Sequence, residues 1–243
     1  MTSSPRRREV SSPRREPPRI PSGSRSRRQS IDYTTGRLRA QNRCRVMPLD
    51  HPPEIAALLG AFDAGEKDAR ELVAGLDEAL GTWRAAPGSW SIAECLDHLA
   101  SGNRVYLRAM EPSAQRALAR GRARRKPAVP GMLGRWFVAT FEPPVRPRYK
   151  LKAPRTIRPR PSPALEDAAQ QFFRSQDELR AFIRRYAEID LASVAFPNPF
   201  VRVFRFSLAT GLHVLAAHER RHLWQAWRVR EAATRPAQLP TLP

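Results

Sequence analysis

Cysteine is nearly absent from this chain: Cys44 and Cys95 are the only two in 243 residues. Two thiols so far apart exclude a disulfide framework and a CxxC metal site, and Cys95, inside a helical pattern, reads as a small buried apolar residue. Long apolar runs are missing too. No stretch approaches the ~18 apolar residues that a membrane-spanning helix needs, and the Arg-rich N-terminus has no apolar segment behind it to make a signal peptide. These absences predict a soluble, cytoplasmic protein without a membrane partner. Alternating Val/Ile-rich stretches are also lacking. The one alternating run, Phe200 to Phe206, is short and has no evident partner strand.

Acidic residues are scarce relative to basic ones, 23 against 43, for a net charge of +20. The excess is local. Residues 1–46 carry +10, residues 47–114 carry −6, residues 115–160 carry +13 and residues 161–243 carry +3. Both basic segments are rich in Pro, and the first holds no aromatic residue except Tyr33. A basic footprint argues for nucleic acid only when it lies on a folded face with groove-reading or base-stacking residues, so nucleic acid is a disfavoured partner. Residues 1–46 repeat Ser, Pro and Arg without hydrophobic period and read as a disordered tail. Apolar periodicity begins just after Met47, so the tail is either a genuine basic segment or sequence upstream of a translation start at Met47. Residues 47–232 form the predicted domain, and residues 233–243 a flexible C-terminal tail.

Within the domain four amphipathic helices are predicted. In the first, from Pro53, residues Ile55, Leu58, Leu59, Phe62, Ala69, Leu72, Val73, Leu76 and Leu80 recur at three- and four-residue steps until Pro87-Gly88. The second opens at Ser91-Ile-Ala-Glu94, which fits a capping box, and runs to about Met110 ahead of Pro112. Residues 111–163 form a long, basic, Pro-rich connection, in which Met132 to Val138 is an apolar island that suits a short helix on the core surface. The third helix spans about Ala164 to Ala187. The fourth spans about Ser207 to Glu231. This describes an all-α protein, a four-helix bundle with a long crossover between helices two and three.

The histidines are few and informative. On the fourth helix the core-facing stripe reads Leu208, Gly211, Leu215, His218, His222, Gln225, Val229, turning polar halfway. Burying these groups unpaired would cost several kcal/mol, so something in the core must answer them. His at i and i+4 lie on one face and can share a metal ion, with His98 of the second helix as a third ligand. The same pattern also suits a buried hydrogen-bonded network. His213 and His51 read as ordinary surface or packing residues.

Trp90-Ser-Ile-Ala-Glu-Cys-Leu-Asp-His98-Leu resembles the W-S-x-x-E-x-x-x-H-L signature of the DinB-like (DinB/YfiT) superfamily. His218-Glu-Arg-Arg-His222-Leu-Trp-Gln225 is similar to its C-terminal H-x-x-x-H-x-x-Q. The resemblance spans about residues 50–232. It implies a four-helix bundle with a long connection after the second helix, and a divalent metal held by His98, His218 and His222. Leu223-Trp224 departs from the small or glycine-containing step of many relatives, which implies a differently shaped space beside the metal.

Three neutral imidazoles leave a divalent ion with an open position, as in catalytic sites, and Zn, Ni, Fe and Mn all accept such ligands. The resemblance implies two chemistries on a small-molecule substrate: transfer of a low-molecular-weight thiol such as bacillithiol or mycothiol, or hydrolysis. Gln225, one turn after His222, is the one further catalytic candidate, supporting the ligands by a hydrogen bond or positioning a metal-bound water, or else bonding backbone at the bundle's end. Glu94 is explained by its capping role, Asp97 is expected to be solvated, and Arg220 and Arg221 to point away from the histidine face. Trp136, Trp224 and Trp227 read mainly as core aromatics, the alternative being the lining of a substrate pocket. A non-catalytic metal-binding protein associated with stress, and a nucleic-acid-binding protein working through its basic segments, are the alternative functions. The oligomeric state stays open, a homodimer being the association that exposed bundle faces favour.

Overall fold

The computed structural model describes residues 51–144, 153–201 and 203–235. The predicted N-terminal tail, the Met47 boundary, Cys44 and residues 236–243 lie outside these. Six α-helices dominate the described residues: α1 Pro53–Val73, α2 Glu78–Thr82, α3 Ile92–Ala119, α4 Met132–Ala139, α5 Leu165–Arg185 and α6 Leu208–Thr234. Two three-residue strands, β1 Ala195–Pro197 and β2 Arg205–Ser207, make an antiparallel hairpin that pairs Phe196 with Phe206. The protein is thus predominantly all-α. Among the described residues no helix is long and apolar enough to cross a membrane.

The four long helices pack as a ring, α1 and α3 each lying against both α5 and α6. Their apolar faces form two clusters. One gathers Ile55, Phe62, Tyr106, Met110, Leu179, Ile183, Phe196 and Leu212. The other gathers Leu72, Ile92, Leu96, Leu99, Phe172, Leu223 and Ala226. Between them, at the middle of α3, α5 and α6, the buried residues turn polar: Asn103, Ser175, Gln176, His218 and Glu219. The ring therefore has a polar waist, and the histidine stripe of α6 runs through it.

Several boundaries differ from the sequence expectation. The first helix is two: α1 ends at Val73, and Gly75 takes φ +72°, a left-handed turn that redirects the chain before Asp77 caps α2 through its side chain and Leu80 N–H. The second helix does not stop before Pro112 but includes it and continues to Ala119. Proline interrupts the hydrogen-bond ladder, but Ser113, Ala114 and Ala117 beyond it are buried, so packing holds the helix together. Phe200–Phe206 does contain a strand with a partner, which the hairpin supplies. The apolar island is the short helix α4, lying against α6 as expected.

The capping box forms as read. Ser91 Oγ accepts from Glu94 N–H at 3.1 Å, and Glu94 Oε2 accepts from Ser91 N–H at 2.9 Å. Arg84 completes it, donating to both oxygens of Glu94. Every residue from Ser91 to Ala100 is buried, because α2 and the 3-10 turn at Arg155–Ile157 cover the side of α3 that other helices leave open.

Candidate metal centre

His98 on α3 and His218 and His222 on α6 converge, each offering one nitrogen, with the three nitrogens within 4.8 Å of one another. Their exposures are 2, 9 and 8%, so water is largely excluded from the rings. His98 Nε2 and His218 Nε2 stand 3.0 Å apart, close enough that only one of them holds the shared proton. The rings meet edge to face, with centroids 4.5 to 4.9 Å apart.

The outer nitrogens determine what the inner ones can do. His98 Nδ1 lies 2.6 Å from the Ile157 carbonyl oxygen, which can only accept, so Nδ1 carries the proton and Nε2 presents a lone pair. His222 Nδ1 lies 3.1 Å from Gln225 Oε1 and, donating to it, likewise leaves its Nε2 bare. Burial holds all three imidazoles below the ordinary histidine range, His218 and His222 well below it, and for those two repulsion from the neighbouring histidines adds to this. All three are neutral at pH 7. Neutral rings, two of them with the outer nitrogen tied to an acceptor and all three with a nitrogen facing a common centre, offer the donor set a divalent transition metal takes once it displaces the proton between His98 and His218, so the residues fit such an ion.

The Ile157 carbonyl comes from the long connection, and a clamp holds it in place. Asp97, the neighbour of His98, accepts from Arg160 N–H at 2.8 Å and from Arg160 Nε at 2.7 Å. Asp97 is 4% exposed, so the expectation of a solvated side chain is wrong: its partner lies 63 residues away, beyond local reading. Aromatic rings close the surroundings. Trp90 stacks near His222 at 5.5 Å and tilts over His98 at 4.6 Å, and Phe141 meets the edge of His218 at 5.8 Å.

Residues 61–226, which contain all three histidines, match the DinB superfamily. The chain belongs to the DinB superfamily. No curated protein and no solved structure matches it. Both signature segments of the DinB superfamily thus face one another here. The first supplies Trp90 as a ring wall and His98 as a ligand candidate; the second supplies His218, His222 and the outer partner Gln225.

Other sequence candidates of this DinB-superfamily chain fall elsewhere. His213 is half-buried and bonds through Nε2 with the Ala128 carbonyl at 3.2 Å, a packing role as expected. Arg220 is exposed and paired with Glu142, while Arg221 reaches the Thr140 carbonyl. Trp227 donates to Asp68 at 2.7 Å. Trp224 is half-buried, with the Arg228 guanidinium 5.0 Å from its ring centroid. Trp136, expected in the core, is 66% exposed because its side of α4 faces solvent.

Sequence reasoning passed over Glu219. This carboxylate, 1% exposed and adjacent to His218, accepts from Asn103 Nδ2 at 2.8 Å and Gln176 Nε2 at 2.7 Å. Burial pushes its pKa up to about 7, against the two amide donors that favour the charged form. The signal was available: Glu219 lies beside the polar stripe of a core helix, and Asn103 and Gln176 interrupt the apolar faces of α3 and α5.

Proposed function

We propose that this chain is a metal-dependent enzyme of the low-molecular-weight thiol transferase or hydrolase type, with His98, His218 and His222 as ligands of Zn, Ni, Fe or Mn. One observation carries the reading. Two of the three histidines have their outer N–H tied to a fixed acceptor, Ile157 O and Gln225 Oε1, so that their inner lone pairs meet before any ion arrives. When bound, a divalent ion on three neutral imidazoles supplies Lewis acidity and lowers the pKa of a water or thiol at its open position.

The protein's own contribution is orientation and dryness. Ile157 and Gln225 set the ring planes, the Asp97–Arg160 clamp fixes the segment carrying Ile157, and Trp90 and Phe141 exclude water from two sides. The partner of such a site is a small electrophilic substrate, with a thiol such as bacillithiol or mycothiol as co-substrate for the transferase chemistry.

Metal analysis of purified protein after chelation and reloading tests the ligand set. One bound ion per chain is expected for the wild type and none for His218→Ala; equal content in both overturns it. Reloaded protein is then assayed with bacillithiol, mycothiol or glutathione plus an electrophile, and with activated esters. Metal-dependent turnover supports the enzyme, and full metal loading without turnover on any substrate supports the non-catalytic binder. The near-complete burial of the three rings is the observation that keeps that second reading in play.

A further inference from the structure

Helix α4 buries one side and exposes large apolar residues on the other. Its inner side lies so close to α6 that a Cβ on Gly134 would come within 2.6 Å of Thr210 Oγ1, and Phe137 packs on Phe141 and Phe206. Its outer side carries Met132, Leu133 and Trp136, which are 81, 75 and 66% exposed and share one stripe of the helix. The β-hairpin, joined to α4 by the Phe137–Phe206 contact at 4.9 Å, adds Val203 and Phe204 at its tip, 81 and 58% exposed. A patch of this kind marks an interaction surface.

The charge of the sequence segment that carries α4 selects the partner. Residues 115–160 hold fourteen basic residues and a single acid, Glu142, which Arg220 already neutralises. Arg125 and Lys126, just ahead of α4, are exposed, as are Arg135 within it and Arg205 beside the hairpin tip. A second copy of the chain would set two such basic segments against each other, and the like charges would repel. A nucleic acid would use the arginines, but aliphatic side chains such as Met132 and Leu133 give bases no stacking surface. An anionic bilayer surface uses every component: aliphatic groups at the acyl boundary, an indole at headgroup level and basic side chains at the phosphates.

We propose that the outer face of α4, with the adjoining hairpin tip, docks on anionic phospholipid at a membrane surface. Such docking needs no spanning helix. It stands apart from the metal reading, and neither depends on the other. The expectation of a chain without a membrane partner rested on the missing span alone.

Co-sedimentation of the full chain with vesicles tests this, using phosphatidylcholine alone and phosphatidylcholine mixed with phosphatidylglycerol. Binding is expected to the mixed vesicles only, falling steeply as salt rises. Replacing Met132, Leu133 and Trp136 together by Ser should lower partitioning at least tenfold with an unchanged thermal melt. The charge-reversed Arg125→Glu/Lys126→Glu protein should lose a similar factor, since each basic residue near such a surface contributes about fivefold. If the triple variant does not fold, Trp136→Gln alone carries the test, with a loss of about fivefold expected. Three results would overturn the proposal. The first is no binding to the anionic vesicles; the second is undiminished binding by the folded apolar variant, which would assign it to charges elsewhere, such as residues 1–46. The third is a self-association or oligonucleotide binding that the apolar variant abolishes while vesicle binding persists.

Discussion

Two buried polar clusters sit side by side across α3 and α6, and they are built on opposite plans. In the cluster of Glu219, Asn103, Gln176 and Ser175, donors meet acceptors: Asn103 bonds to Ser175 and Glu219, and Gln176 to Glu219. In the cluster of His98, His218 and His222, the outer nitrogens of His98 and His222 donate to Ile157 and Gln225, and a nitrogen of each ring faces a common centre. The first plan ties its amide N–H groups to acceptors inside the cluster and fixes how the helices pack around the waist, while Asn103 Oδ1, Gln176 Oε1 and Glu219 Oε2 stay without a hydrogen-bond partner. The second brings three ring nitrogens to one centre, joined there only by the contact of His98 with His218, and could hold a metal ion. Burial and polarity are alike in both; the direction of the N–H groups separates structure from site.

The comparison can be broken from either side. The largest effect is expected from His222→Ala: metal affinity should fall at least ~1000-fold, because two imidazoles cannot hold a tight site, while the unfolding midpoint of the metal-free protein changes little. Titration with Zn against a competing chelator measures the first, and urea denaturation the second. Glu219→Ala should do the reverse. It leaves two buried amide donors unpaired and a cavity behind, costing about 3 kcal/mol of stability by urea unfolding. Glu219→Gln keeps the accepting oxygen and should cost no more than about 1 kcal/mol. If Glu219→Ala instead abolished metal binding at full stability, the division drawn here would be wrong.

Smaller effects sharpen it. Asp97→Asn removes the carboxylate that pairs with Arg160 and loosens the segment carrying Ile157, so metal affinity should fall about 10- to 100-fold with the ligands intact. Gln225→Ala should cost about tenfold by freeing the tautomer of His222. The same chelator competition reads both, and an unchanged affinity for Asp97→Asn would show that Ile157 needs no clamp.

The smallest effect is on pH dependence. Burial depresses His98, His213, His218 and His222, so below the ordinary histidine pKa of ~6.5 the unfolded chain takes up protons that the folded chain resists. Stability of the metal-free protein is therefore complete above pH ~6.5 and declines as pH falls below it. Glu219, raised from 4.5 to about 7, works in the opposite sense between those values, but it is one group against four. Urea midpoints in chelator at pH ~7.5 and ~5.5 should show a lower value at the acid end. A rise there would mean that Glu219 dominates.

The three-histidine cluster was more legible in the sequence than the helix ends were. The i, i+4 histidines interrupting a core stripe, the capping box at Ser91 and the two signature segments are local patterns of ten residues or fewer, where spacing largely fixes the geometry. Gly75 and Pro112 misled because the apolar stepping continues at Leu76 and Leu80 after the true stop at Val73, while packing carries α3 through its proline. Asp97, Trp90 and Ile157 acquire their roles from contacts made across the fold. A backbone carbonyl has no sequence signature at all, so the acceptor that orients His98 could be found only in three dimensions.

That carbonyl also bears on folding kinetics. His98 and His218 are separated by 120 residues, with Ile157 between them in the chain, so the centre closes two long loops at once. Contacts of such range cost loop entropy first and form late. An ion that binds only the completed centre therefore stabilises the native state without stabilising the barrier to it: metal should leave the folding rate nearly unchanged and slow unfolding, acting as a latch and not as a nucleus.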